Sequence, residues 1–190
     1  MANEKLGILK LLIENREKEF SIRQIAKMRG INYKSAYQNI AALRGEGAVT
    51  VKELGNISLC SFSGGFSDSV FLVERERTAE ALKKNRDLKS IQHRLNSING
   101  QFILLLFGSH VKGTATKQSD IDLLLITGQP DEIQNELDLL PLKIHVTHVP
   151  YKDFASMLRS REPTVVSEAV KKNIILFGAE DYYRMTGNAG

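Results

Sequence analysis

Between Phe102 and Ile126 two apolar runs bracket a glycine-serine bend, and this stretch constrains the chain most. The first run, Phe102-Ile-Leu-Leu-Leu-Phe107, is short, lacks helical spacing and stops at Gly108. That predicts a strand buried on both faces. Gly108 permits a sharp turn and a close approach of the backbone to a ligand. Ser109 then opens an expected short helix, Ser109 to Lys112. A helix start offers free N–H groups and partial positive charge, a seat for phosphate. The polar run from Gly113 to Ser119 leads into Asp120-Ile-Asp-Leu-Leu-Leu-Ile126, a second apolar strand.

Asp120 and Asp122 are two residues apart, so strand alternation puts both carboxylates on one face, roughly 7 Å apart. Their repulsion at that distance is about 2 kcal/mol for an effective dielectric near 20. Apolar neighbours raise the cost of charge there further. A divalent cation reverses the sign of the interaction, and hard oxygen ligands suit Mg²⁺. Acids beside a phosphate seat are the parts of metal-assisted phosphoryl chemistry.

Gly108-Ser109, ten intervening residues and Asp120-Ile121-Asp122 on an apolar strand resemble the signature of the DNA polymerase beta-like nucleotidyltransferases, the minimal prokaryotic branch in particular. The resemblance runs from about Gln101 to the C-terminus. It implies an α/β (α+β) domain with a small mixed sheet. It also implies an NTP held by Gly108, Ser109, Lys112 and Ser119, and Mg²⁺ (or Mn²⁺) held by Asp120 and Asp122 as the catalytic pair. In that family a third carboxylate sits on the following strand. Here Lys143-Ile-His-Val-Thr-His-Val149 carries no acid, and His145 is the nearest substitute. Imidazole suits Zn²⁺ or Mn²⁺ better than Mg²⁺. The departure bears on a two-ion mechanism more than on nucleotide binding. His145 and His148 also read as strand surface.

The chain has 190 residues, 42% of them apolar, room for one large domain or two small ones. A single cysteine, Cys60, excludes an internal disulfide and a paired-Cys metal site, as expected of a cytoplasmic protein. Neither a signal peptide nor a membrane span is expected, since Lys10 and Glu14 interrupt the first apolar stretch. Residues 1–62 hold ten Lys/Arg against six Asp/Glu, whereas residues 101–190 hold nine against eleven. The basic excess is N-terminal, as suits a part that meets a polyanion.

In that part, Glu4 to Arg16 reads as an amphipathic helix. Ser21-Ile-Arg-Gln24 fits a capping box for a second helix that Gly30 ends. Asn32 caps a third, Tyr33 to about Gly45, with Ala36, Ile40 and Leu43 inward. Its other faces carry Lys34, Ser35, Tyr37 and Gln38, types that meet phosphates and base edges in a major groove. Strands are expected at Ala48–Glu53 and Ile57–Phe62. Helices followed by a hairpin resemble a winged helix-turn-helix, which implies DNA as a partner. A helical domain that only packs on another unit is the alternative.

The Ser/Gly-rich break from Ser61 to Ser67 sets expected domains at 1–62 and 101–190, joined by residues 63–100. One long helix is expected from about Asp68 to Ile98, with an apolar stripe of Leu88, Ile91, Leu95 and Ile98. The stripe packs on the second domain or, alternatively, makes a homodimer. The charges from Glu74 to Arg94 read as a solvated face. Beyond Ile126 the pattern gives a helix from Asp131 to Leu140, the strand Lys143–Val149, helices near Asp153–Arg159 and Thr164–Lys172, and a short strand Ile174–Phe177. The tail from Thr186 is expected to fray.

Three functions fit this reading. The first is a nucleotidyltransferase coupled to a DNA-binding domain. The second is a DNA-binding regulator whose nucleotidyltransferase-like domain senses nucleotide without chemistry, which the missing third acid favours. The third, from the resemblance alone, is an antitoxin-like partner of a small helical protein.

Overall fold

The computed structural model describes residues 2–116, 118–160 and 163–187. The chain divides into two compact units, Met1–Val73 and Glu74–Gly190. Among the described residues no helix is long and apolar enough to cross a membrane.

The first unit comprises α1 (Ala2–Glu14), β1 (Phe20–Ser21), α2 (Ile22–Arg29), α3 (Tyr33–Gly45), β2 (Val49–Leu54) and β3 (Ile57–Phe62). Its helix starts follow from the capping residues. The Ser21 hydroxyl accepts from the Gln24 amide at 3.3 Å, while Gln24 Oε1 accepts from the Ser21 amide at 2.8 Å. Asn32 Oδ1 accepts from the Ser35 amide at 2.8 Å and starts α3. Ile8, Leu9 and Leu12 of α1, Ile22 and Ile25 of α2, and Ala36, Ile40 and Leu43 of α3 are buried. The hairpin pairs Val49 with Phe62 and Leu54 with Ile57. The two-residue strand β1, invisible to periodicity, adds to its edge and gives the antiparallel order β1-β3-β2.

The division falls inside α4 (Asp68–Lys84). The first turns of that helix, with Val70 and Val73 fully buried, belong to the first unit. The expected single long helix is two. At Asn85 the backbone is extended (φ −128°, ψ 115°), and the Asn85 side chain accepts from the Asp87 amide at 2.9 Å to start α5 (Arg86–Leu95). A short polar side chain that competes for backbone N–H groups favours such a cap over a helix interior.

The second unit continues with β4 (Ile103–Leu106), α6 (Ser109–Lys112), β5 (Ile121–Ile126), α7 (Pro130–Asp138) and β6 (Ile144–Val149). It closes with α8 (Tyr151–Arg159), α9 (Val165–Lys171), β7 (Ile174–Phe177) and α10 (Ala179–Gly187). The sheet is mixed, in the order β6-β5-β4-β7. β5 pairs in parallel with β6, and β4 lies antiparallel to β5 and to β7. Leu88, Ile91 and Leu95 of α5 and Ile133 and Leu137 of α7 share one core with Leu104, Leu106, Ile121, Leu123 and Leu125. The α5 stripe is thus buried in the chain's own core. Alternation turns Ile103, Leu105, Leu124 and Ile126 to the opposite face, where they are also fully buried. Each such side chain contributes roughly 1.5–3 kcal/mol. Thr186 and Gly187 close α10, and residues 188–190 of the expected frayed tail lie outside the described residues.

One expectation for the charged stretch is overturned. Glu74 and Arg77 are buried, at 2% and 4% exposure, rather than solvated. Arg77 donates to Glu74 Oε2 at 2.6 Å and to the Asn173 carbonyl at 2.7 Å, and the Tyr183 hydroxyl donates to Glu74 Oε1. The Asn173 side chain in turn donates to the Ala169 carbonyl and the Tyr182 hydroxyl, at 2.7 and 3.0 Å. A buried charge persists only when paired and hydrogen-bonded in this way. The network ties α4 to α9, to α10 and to Asn173, the residue before β7.

Candidate active site

The site begins where β4 ends. Phe107 donates its amide to the Asp122 carbonyl at 3.1 Å, extending the β4–β5 ladder to the bend. Gly108 then turns the chain at φ 69° and ψ −144°, a conformation that favours glycine. A second reason for glycine is space: a Cβ at this position would lie 2.2 Å from Asp122 Oδ2 and 3.0 Å from its Cγ. The Asp122 carboxylate therefore lies against the Gly108 backbone, at the start of α6. Gly113 closes α6, its amide donating to the Ser109 carbonyl.

Asp122 is half-buried near the start of β5, while Asp120 is exposed and immediately precedes the strand. The expectation that both acids lie within the strand is corrected by one residue. The cost of charge near apolar surface falls mainly on Asp122. Ile121 and Leu123 face the α5–α7 core, so alternation aims Asp122 to the other face.

Of the remaining expected nucleotide contacts, Ser109 is the first residue of α6 and half-buried. The Lys112 ammonium pairs with the Glu168 carboxylate of α9, both side chains about half exposed. Nothing in the sequence signals that pair, since Glu168 lies 56 residues away. The Ser119 hydroxyl accepts from the Thr116 amide at 2.9 Å and braces the loop before Asp120. Lys117 of the same loop lies outside the described residues.

The parallel register sets His145 of β6 directly beside Asp122 of β5. Cross-strand neighbours project to the same face, so His145 and Asp122 share one face of the sheet. His148 Nε2 is instead 3.0 Å from the Thr127 carbonyl. Among the described residues no three His, Cys, Asp or Glu side chains converge into a preformed metal cage. The donors, Asp122 against the bend that opens α6 and Asp120 two residues before it, would suit a Mg²⁺ whose remaining ligands are phosphate and water, the ion's usual arrangement at nucleotide sites.

In the first unit, Lys34, Tyr37 and Gln38 are exposed on α3. Ser35 is half-buried, and its hydroxyl donates to Glu4 Oε2 at 2.7 Å.

Residues 88–178 match the family model described as nucleotidyltransferase domain. The matched span runs from α5 through β7 and includes Gly108, Ser109, Asp120, Asp122 and His145. No curated protein and no solved structure matches the chain.

Proposed function

We propose that the second unit transfers a nucleoside monophosphate from an NTP to a hydroxyl-bearing acceptor. The observation that carries this reading is the contact of Asp122 with Gly108. It brings a carboxylate to the backbone bend where a triphosphate would lie, and a cation between the two anions would turn their repulsion into attraction. Asp120 and Asp122 would hold Mg²⁺ (or Mn²⁺), which would supply charge stabilisation and a template for the triphosphate. Gly108 and Ser109 receive phosphate oxygens through the free N–H groups that open α6. Lys112 adds a cation at the end of the same turn, and Ser119 holds the loop that leads to Asp120. The acceptor oxygen bonds to the α-phosphorus as the bond from that phosphorus to the β-bridging oxygen breaks. Pyrophosphate leaves, and the hydroxyl proton passes to solvent.

The first unit, in this proposal, is a winged helix-turn-helix that binds DNA through α3, with Lys34, Tyr37 and Gln38 at the interface and Ser35 bracing the helix against α1. Its support is the order of three helices before a hairpin and the N-terminal basic excess. A second reading, a nucleotide-sensing DNA-binding regulator without transfer, is favoured by the lack of a third converging acid among the described residues.

NTPs labelled at the α- or γ-phosphate, incubated with Mg²⁺ or Mn²⁺ and a cell extract, separate these readings. The transferase attaches α-label to an acceptor and releases γ-label as pyrophosphate. The regulator binds nucleotide and transfers neither label.

A further inference from the structure

Two clefts open in the first unit, both bordered by α3, the start of α2 and the β2–β3 hairpin. One, of about 380 Å³, is lined by Tyr37, Ile40 and Val51, with Arg44 and Glu53. The other, of about 350 Å³, is lined by Tyr33, Asn56 and Ile57, with Arg23. Ile22 and Ser58 line both, so the clefts are consecutive lobes of one trough. Each lobe is in the lower part of the ~300–1,000 Å³ range of ligand pockets, ample for a nucleobase.

The lobes repeat one pattern: an exposed tyrosine and an arginine. Tyr33 and Tyr37 are 51% and 55% exposed, and their rings stack with centroids 6.4 Å apart. Neither the Arg23 nor the Arg44 guanidinium is tied by a hydrogen bond or ion pair among the described residues. Glu53 is held by the Ser58 hydroxyl at 2.9 and 3.0 Å. Its carboxylate repels phosphate but accepts from the exocyclic amine of a base such as cytosine.

We infer that this trough binds single-stranded nucleic acid, with successive bases stacked on Tyr33 and Tyr37 and the linking phosphates on Arg23 and Arg44. The charge pattern excludes a purely apolar occupant, which would leave both arginines without use. A duplex presents base edges and hides base faces, so it would meet Tyr37 through its hydroxyl at most and would stack on neither ring. An unpaired strand uses both chemistries at once. This inference rests on reading the first unit as a nucleic-acid module and names the form it takes.

The test is fluorescence anisotropy of the full chain with a short fluorescein-labelled oligonucleotide, single-stranded or annealed to its complement, over a salt series. The single strand binds more tightly than the duplex. Tyr33→Ala and Tyr37→Ala each weaken it about tenfold, within the range seen when a stacking ring is removed, while the Phe variants retain it. Arg23→Ala and Arg44→Ala each reduce the salt slope by about 0.7, the value for one phosphate on a single strand. Tighter binding of the duplex, or full affinity in Tyr33→Ala/Tyr37→Ala, overturns the inference and leaves the DNA-binding reading standing. Binding of neither form overturns both. Self-association that sedimentation detects in the wild type, and that the double tyrosine variant loses, would assign the trough to a second copy and also overturn it.

Discussion

Asp122 Oδ2 lies so close to Gly108 that a methyl group on the glycine would come within 2.2 Å of it. The contact joins the end of one strand, the start of a short helix and the second residue of the neighbouring strand. It also explains why the bend is a glycine on two counts, the positive φ and the missing space.

Gly108→Ala therefore has two effects. The positive-φ backbone at ψ −144° is one that residues with a Cβ rarely adopt and costs roughly 1–3 kcal/mol, and the carboxylate must move aside. Urea denaturation is expected to show a loss of about that size. Nucleotide affinity, followed by isothermal titration, falls in the same variant. An unchanged affinity would mean that the bend does not meet the phosphates.

The Lys112–Glu168 pair is half exposed and should matter little for stability. Glu168→Gln is expected to change it by less than about 1 kcal/mol. For a triphosphate the pair is a competitor, since the carboxylate occupies the ammonium. Glu168→Gln should raise NTP affinity and Lys112→Ala lower it, and both effects should shrink as salt is added. Equal and unchanged affinities in the two variants would remove Lys112 from the site.

The buried Glu74–Arg77 pair behaves differently. Removing one partner leaves an uncompensated charge, so Arg77→Met is expected to cost about 3–5 kcal/mol. Glu74→Leu/Arg77→Met should cost less than the single change, as a thermal or urea melt would record. A double variant worse than either single one would show that the hydrogen bonds to Asn173 and Tyr183 outweigh the charges.

Cys60 is fully buried, and burial, reinforced by the Glu53 charge, pushes its thiol from about 9 up to about 11. The neutral thiol is the nucleophile's inactive form. A thiol reagent at mildly alkaline pH should react with unfolded chain and spare the folded one. The sign of the linkage follows: between those two values the unfolded state has lost the proton and the folded state keeps it, so this group's contribution to stability declines as pH rises from about 9 to about 11. Rapid labelling of the native protein would show that the first unit opens locally.

Much of this architecture was legible in the residues. The runs Ile103–Leu106 and Leu123–Ile126 have no polar residue, and that predicts strands covered on both sides. Ser21 with Gln24, and Asn32, marked helix starts because short-range capping is written in neighbouring positions. What escaped is long-range or depends on one residue. Asn85 breaks the long helix through a local cap that competes with an otherwise unbroken helical pattern. Glu74 and Arg77 look like ordinary helix-surface charges until Tyr183, more than a hundred residues on, supplies a partner. The Gly108–Asp122 spacing was visible as a motif, but the steric contact that makes the glycine necessary appears only in three dimensions. So does the register that sets His145 beside Asp122.

The central claim is that Asp120 and Asp122 act together on a nucleotide seated at Gly108. The most direct measurement follows transfer of α-phosphate label from an NTP to acceptors in a cell extract, for wild type and for Asp120→Ala/Asp122→Ala, with circular dichroism showing that both are folded. Label transfer by the wild type is expected, with a loss of at least about a hundredfold in the double variant, comparable with removing a group that stabilises transition-state charge. Transfer at the wild-type rate by the folded double variant would contradict the central claim.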